Sequence, residues 1–354
     1  MENQPPPNPA SYVGEWLKGT GQEADIVISS RIRLARNLQD FPFPTKASPK
    51  ERTSVSRLVQ DALEETSALP SPLYLEVDQI PPVERLFLVE RHLISMDHAS
   101  GKEPRAVAYE KRESLSIMIN EEDHLRLQAL RSGLAFEEAW QEINALDSRL
   151  EGRLHYAFSG QYGYLTSCPT NAGTGLRASV MLHLPALVMT KQIDKVFQAV
   201  SRINLAVRGL YGEGTKASGD FYQISNQVTL GKSEEELLEH LKSVVPQIIR
   251  YERSIRETLA SENRLSLEDR IWRAYAMLRA ARTLTSEEAL DLLSALRLGV
   301  NLKIIPGLEI GTVNRIFILV QPAHLQKMEG RELTSEERDT ARARYVREQL
   351  GPIA

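Results

Sequence analysis

The 354-residue chain carries 43 Lys and Arg against 47 Asp and Glu, a net charge of −4, and 42% apolar residues, ample for a packed core and suggestive of two domains. That balance gives no global reason to expect nucleic acid or an anionic membrane as the main partner, so any affinity for phosphate must be local. One cysteine excludes an internal disulfide, and seven scattered histidines without a His-Glu-x-x-His pair offer no zinc set.

Residues 1–24 mix Pro, Asn, Gly and Gln around Tyr12, Val13, Trp16 and Leu17, which predicts a loose arm with one short docking helix and no chemistry. The first ten residues are proline-rich and polar, and no run of eighteen apolar residues follows anywhere, so a cytoplasmic location is expected. From Asp25 the pattern reads as a strand on which Arg31 and Arg33 share one face, although an exposed arginine pair at a sheet edge would look the same. Amphipathic helices are predicted over 49–69 and 82–93, the second with Leu86, Val89 and Leu93 on one side and His92 close by. Leu115, Ile117 and Ile119 alternate with more polar neighbours in a half-buried strand that ends at Asn120. There Asn120 reads as an N-cap, with Glu121, Glu122 and Asp123 in the first turn of a helix, and Glu122 and Arg126 spaced for an ordinary i, i+4 ion pair.

The stretch Gly163 to Pro185 organises the chain. It predicts a short strand over Tyr162–Ser167, irregular backbone forced by Pro169, Asn171, Gly173 and Gly175, and a helix over Leu176–Leu184. A helix beginning there would aim free N–H groups and Arg177 at an incoming anion. A plain Gly-rich turn with Cys168 as a small buried hydrophobe fits the same spacing. Gly173-x-Gly175-x-x-Ala178 lacks the strand-end acid of a dinucleotide fingerprint, and Gly231-Lys232-Ser233 lacks the glycine a Walker loop needs at position 226. Leu205 to Gly214 reads as a strand entering a loop with glycines on both sides of Glu213. Ser233 with Glu236 forms a capping box that opens a helix from Glu234 to about Arg256. Past about Leu259 the composition turns to Leu, Ala, Arg and Glu. Leu267, Ile271, Ala274, Leu278 and Ala281 share one helical face, further helices start near Ser286 and Ser335, and Pro306 and Pro322 mark breaks.

The string from Tyr164 to Val180, YLTSCPTNAGTGLRASV, resembles the signature of the guanidino, or phosphagen, kinases. Asn120-Glu-Glu-Asp-His-Leu-Arg126, Ser29-Ser-Arg-Ile-Arg33, Val89-Glu-Arg-His-Leu-Ile-Ser95 and Arg208-Gly-Leu-Tyr-Gly-Glu213 resemble that family's other motifs. The resemblance implies Glu122, Glu213 and Cys168 as catalytic residues. It implies ATP contacts from Ser29, Ser30, Arg31, Ile32, Arg33 and His92, from Arg126, from Arg177, Ala178, Ser179, Val180 and Met181, and from Arg208, Gly209, Leu210, Tyr211, Gly212 and Glu213. No protein metal ligands are implied, because Mg2+ arrives on the nucleotide. The implied fold is α/β (α+β), an antiparallel sheet flanked by helices, followed by an α-helical C-terminal domain. Its divisions are an arm over 1–24, a catalytic domain over 25–256 and a helical dimerisation or regulatory domain over 257–354.

With only twenty-eight residues before Ser29 and about a hundred after the catalytic part, the layout resembles the bacterial branch of this family that acts on protein arginines. Arg338-Asp339-x-x-Arg342-Ala343 matches that branch's phosphoarginine-binding motif, and it also reads as a charged face on a surface helix. The branch implies protein substrates bearing arginine, a zinc-containing activator protein, a heat-shock repressor, a Clp unfoldase and protease system, and a homodimer. Independently of any family, five arginines in one pocket, at 31, 33, 126, 177 and 208, would repel one another unless a polyanion joined them. A small-guanidine kinase with an added tail, and a non-catalytic reader of phosphoarginine, remain as alternative readings.

Overall fold

A computed structural model describes residues 13–209 and 219–351. In chain order the elements are β1 (Val27–Arg36), α1 (Pro49–Thr66), β2 (Leu73–Glu76), α2 (Pro82–Glu90), α3 (Met96–Ser100), β3 (Ala106–Tyr109), β4 (Leu115–Ile119), β5 (Leu125–Ser132) and α4 (Phe136–Glu151). They continue with β6 (Phe158–Ser159), β7 (Gly163–Tyr164), β8 (Leu176–His183), α5 (Pro185–Met189), α6 (Ile193–Arg202), β9 (Leu205–Gly209) and β10 (Phe221–Asn226). Helices α7 (Glu234–Glu262), α8 (Arg264–Ala280), α9 (Ser286–Asn301), α10 (Ile310–Leu319), α11 (Pro322–Glu329) and α12 (Ser335–Leu350) complete the chain.

Eight strands form one antiparallel sheet in the order β2-β3-β4-β5-β1-β8-β10-β9. One face is apolar: Ile32, Leu34, Leu127, Ala178 and Val180 lie in the main core with residues of α1, α4 and α7. Side chains alternate across a strand, so the opposite face receives Ser29, Arg31 and Arg33. The fold class expected from the sequence, a helix-flanked antiparallel sheet followed by a helical bundle, is the one observed.

Two local expectations fail. Leu176–His183 is not a helix but the central strand β8, paired on both edges with β1 and β10. The proposed cradle of free helix N–H groups is therefore absent, and Arg177 reaches its position from a strand. Nor does a helix follow Asn120. Residues 120–124 make the tight connection from β4 to β5, with Asn120 at φ 62° in the left-handed region, and the Glu122–Arg126 ion pair spans that turn. The strand expected over Tyr162–Ser167 shrinks to Gly163–Tyr164, hydrogen-bonded to Phe158–Ser159.

The helical segment is anchored to the sheet rather than tethered to it. Helix α7, opened by the Ser233–Glu236 capping box, runs unbroken through Arg256 to Glu262. The guanidinium of Arg297 on α9 is buried and donates to the carbonyls of Ala24 (2.6 Å) and Asp25 (2.9 Å), just before β1, and Asn301 donates to Asp25 as well (2.8 Å). At the other end Glu90 of α2 accepts from the amides of Ala323 (2.8 Å) and His324 (3.0 Å), capping α11. The arm contributes Trp16 and Leu17, buried in a cluster with Met181, Phe221 and Phe317, as a short docking turn should.

Candidate active site

Cross-strand register assembles the site on the polar face. Arg33 lies between Gln128 on β5 and Arg177 on β8, and Arg31 between Leu130 and Ser179. Ser225 continues from Ser179, while Met181 leads to Gln223 and on to Arg208 of β9. Arg126 sits two residues before Gln128 and so shares the face. Ser29, Arg31, His92, Leu130, Ser179, Met181 and Gln223 line one cavity. The other residues carried over from the motifs turn away. Ile32, Ala178 and Val180 are core side chains, and the Ser30 hydroxyl donates to Gly133 O (2.8 Å) and accepts from Ala135 N (3.0 Å). These four could reach a ligand only through backbone. Gly209 ends β9, and Leu210, Tyr211, Gly212 and Glu213 lie outside the described residues.

The electrostatics show what the face lacks. Burial, and then the charges of Arg177, Arg208 and Arg126, lower the Arg31 guanidinium to about 10. Burial, Arg31, Arg126 and Arg177 drive Arg33 down further. The Nε of Arg33 is buried with no hydrogen-bond partner among the described residues. Crowded, desolvated cations with an unused donor fit a polyphosphate, which would supply negative charge and acceptors together. His92 follows α2 at φ 58°, held by Gln128 donating to its carbonyl (2.7 Å), with the Trp16 ring edge-on at 4.9 Å. Burial and the Arg31 charge lower it to about 3, so the imidazole is neutral at physiological pH and suits hydrogen bonding rather than proton transfer.

Acceptor chemistry sits at the β4–β5 turn. Arg126 donates from Nη2 to Glu122 (2.6 Å) and from Nη1 to Glu121, which also accepts from Ser95. Burial pushes Glu122 up from the usual carboxylate range, with Asp123 and Glu121 adding to the effect and Arg126 opposing it. Burial also acts on Glu121, but Arg126 and Ser95 outweigh it and leave that acid lowered. Glu121 is thus committed to Arg126, whereas Glu122 is partly exposed and available. Cys168 stands at the start of the Pro169–Asn171 turn, its Sγ 2.9 Å from Thr170 Oγ1 and partly exposed.

Motif spelling concealed one connection. Asp123 is fully buried and its Oδ1 accepts from Asn37 Nδ2 (2.7 Å) and from the backbone N–H of Ser167 (2.7 Å), tying the carboxylate turn to the cysteine loop. Asn37 also accepts from His124 N (2.9 Å), and His124 Nδ1 accepts from Leu38 N (3.0 Å). An Asp and a His packed among apolar strands were the available signal, since buried polar groups require partners. Gly175, at φ 64°, lets this loop pass against Ala35, where a Cβ would lie 2.6 Å from the Ala35 carbonyl.

The tail motif lies apart, on α12. Arg342 is buried and donates to Val320 O (2.9 Å), Leu284 O (2.7 Å), Asp339 (2.6 Å) and Ser286 (2.8 Å); Ala343 is core. Arg338 is half-buried and donates to Leu333 O (2.8 Å).

An arginine-lined sheet face beside a carboxylate turn and a cysteine loop defines a guanidino phosphotransferase. Residues 54–255 match the ATP:guanido phosphotransferase C-terminal catalytic domain, and 264–354 match the protein-arginine kinase McsB C-terminal domain. The chain is 48% identical over 338 residues to a protein-arginine kinase of Halothermothrix orenii, covering 96% of this chain and 97% of that one. It is 49% identical over 339 residues to one of Moorella thermoacetica, covering 95% and 97%. Among solved structures, lombricine kinase aligns with a TM-score of 0.58 at 29% identity, over 72% of each chain. A duplicated taurocyamine kinase of Schistosoma mansoni aligns at 0.59 and 26%, over 71% of this chain and only 36% of its own. The chain belongs to the bacterial protein-arginine kinases of the guanidino kinase family, and its enzymatic class is a kinase with a nitrogenous acceptor.

Proposed function

We propose that the chain transfers the γ-phosphoryl group of magnesium-bound ATP to arginine side chains of proteins, with Arg31, Arg33, Arg126, Arg177 and Arg208 as the phosphate clamp. The crowded, buried arginine face supports this reading best, since mutual repulsion there is relieved by a polyanion. Transfer of this kind depends on positioning and charge neutralisation, which fixed arginines supply. The nucleoside would lie along Ser29, His92, Ser179, Met181 and Gln223, a mix of polar and apolar groups beside Arg31. Among the described residues no three His, Cys, Asp or Glu could hold a metal, and Mg2+ would be held by phosphate oxygens and water.

The acceptor sets the demand on the carboxylates. With a pKa of about 12.5 to 13.8, only about one guanidinium in a million is neutral at pH 7, and prior deprotonation would cost at least roughly 7 kcal/mol. Proton removal therefore accompanies attack. Glu122 holds the guanidinium, Glu213 takes the departing proton, and Cys168 orients the cation without carrying phosphate. Arg338, Asp339, Arg342 and Ala343 form a second, regulatory phosphoarginine site. Partners follow the family: a zinc-containing activator, a heat-shock repressor and a Clp protease that degrades the marked proteins, in a cytoplasmic homodimer.

The test is incubation with magnesium ATP and a mixed protein substrate, followed by mass spectrometry for acid-labile phosphate on arginine. Phosphoarginine on protein supports the reading. Faster turnover of free arginine would replace it with a small-guanidine kinase, and no turnover with a non-catalytic reader.

A further inference from the structure

Four large apolar side chains stand in solvent around the cysteine loop, with exposures of 61% for Phe158, 50% for Tyr162, 45% for Val228 and 49% for Leu230. They come from two segments far apart in sequence, both built directly onto the loop. On one side the β6–β7 hairpin presents Phe158 and Tyr162. Its inner residue Tyr164 stacks edge-on with Phe158 at 5.3 Å and exchanges backbone hydrogen bonds with Gly173. On the other side Thr229 is buried, its hydroxyl 2.9 Å and 2.7 Å from the carbonyls of Thr170 and Ala172 and donating to one of them. That anchorage leaves Val228 and Leu230 facing outward. The two segments meet at Gly173, where a Cβ would lie 2.9 Å from Thr229 O and 3.0 Å from Leu230 Cα. Among the described residues these four make up over a third of the eleven exposed large hydrophobics.

Exposed apolar groups scattered singly are ordinary, but a cluster bordering a site marks something that docks there. The geometry points to a docking rim for the polypeptide on either side of the acceptor arginine, selecting apolar residues near that arginine. This rests on the protein-arginine kinase reading, and deepens it by naming a sequence preference. An arginine presented by a chain cannot enter alone. Three residues of extended chain span about 10 Å, so its neighbours must lie across the borders of the loop. Both borders present exposed apolar side chains in a charged setting, with Glu151 at the Tyr164 hydroxyl and Lys232 two residues beyond Leu230, and it is the apolar groups that an apolar flank would cover. A second copy of this chain is the competing occupant.

The test compares two peptides, each with one arginine, flanked by Leu and Phe in one and by Ser in the other. Phosphoarginine formation is followed with the intact chain and with Phe158→Ser/Tyr162→Ser and Val228→Ser/Leu230→Ser, all exposed positions with little to lose in folding. The intact chain is expected to favour the apolar peptide about tenfold in kcat/KM, as one or two buried side chains allow. Each double variant should lose that preference with the Ser-flanked rate and the KM for ATP unchanged. No preference in the intact chain, or a preference surviving in both variants, overturns the rim. So does a self-associated state of the intact chain that each variant disperses with its peptide preference untouched, which assigns the patch to a second copy. Phosphoarginine on neither peptide would instead strike the kinase reading, and this inference with it.

Discussion

Replacing Asp123 with Ala tests whether the carboxylate turn and the cysteine loop work as one unit. The substitution removes two hydrogen bonds to a buried carboxylate, from Asn37 and from Ser167 N. Bonds to charged groups contribute about 1.5 to 3 kcal/mol each. Asn37 keeps a second acceptor, Leu165 O at 3.1 Å, so one of the two losses is softened and about 3 kcal/mol is expected overall. For a chain of this size, with an unfolding entropy of about 0.7 kcal/mol/K, that lowers Tm by about 4 °C. The freed Ser167 amide no longer fixes Cys168 relative to Glu122, and misplacement by about 1 Å costs about 10²-fold in rate. Most of the nucleotide face lies on β1, β8, β9 and β10, with only Arg126 of β5 close to the turn, so the KM for ATP should move far less than kcat. Asp123→Asn keeps the acceptor oxygen and should recover most of the loss. Steady-state kinetics and thermal melts of both variants decide it. A kcat in Asp123→Ala within about twofold of the parent, measured below its Tm, would refute the coupling of the two loops.

Glu213→Gln should keep ATP binding and lose about 10² to 10⁴ in rate, the range for a general base, read by nucleotide titration beside phosphoarginine formation. His92 binds no proton in the fold above about pH 3, whereas the unfolded chain takes one up below about 6.5, so stability falls with pH across that window. His92→Asn, whose side chain tolerates the φ of 58°, should flatten that dependence by about 1.36 kcal/mol per pH unit in urea melts run between those limits. Arg342→Ala strands buried carbonyls and should cost about 3 kcal/mol or more, lowering Tm along with any phosphoarginine response. Arg338→Ala should change that response with Tm unaltered; calorimetry with phosphoarginine separates the two.

Legibility in the sequence followed the physics of each segment. Strand β4 shows its alternation because Ser114 and Ser116 interrupt the apolar positions, and α7 announces itself through Ser233 and Glu236. Strand β8 hides, because it is central and nearly all of it is buried; Leu-Arg-Ala-Ser-Val-Met-Leu-His then has no clean period of two and is read as a helix. The error at Asn120 has another origin. Asn followed by acids suits both a helix cap and a tight turn with a left-handed residue, and only the pairing of β4 with β5 decides between them. Arg31 and Arg33 were legible as sharing one strand face, because Ile32 between them sets a clean alternation. Asp123 and Asn37 act through buried hydrogen bonds between distant segments, which no local pattern records.

The anchorage of α9 on the carbonyls of Ala24 and Asp25 bears on how the chain is made. Strand β1 lies in the middle of the sheet, yet its entry is secured by Arg297 and Asn301, some 270 residues later in synthesis. Until α9 has left the ribosome the Ala24 carbonyl lacks its donor, and that of Asp25 has only the longer bond from Arg256 of α7 (3.3 Å). The strand bearing Arg31 and Arg33 is then held less firmly at its start than along its flanks. Such long-range closure is slow and exposes unfinished sheet in the meantime. The entry to β1 is thus closed by residues that the ribosome delivers only after the whole sheet.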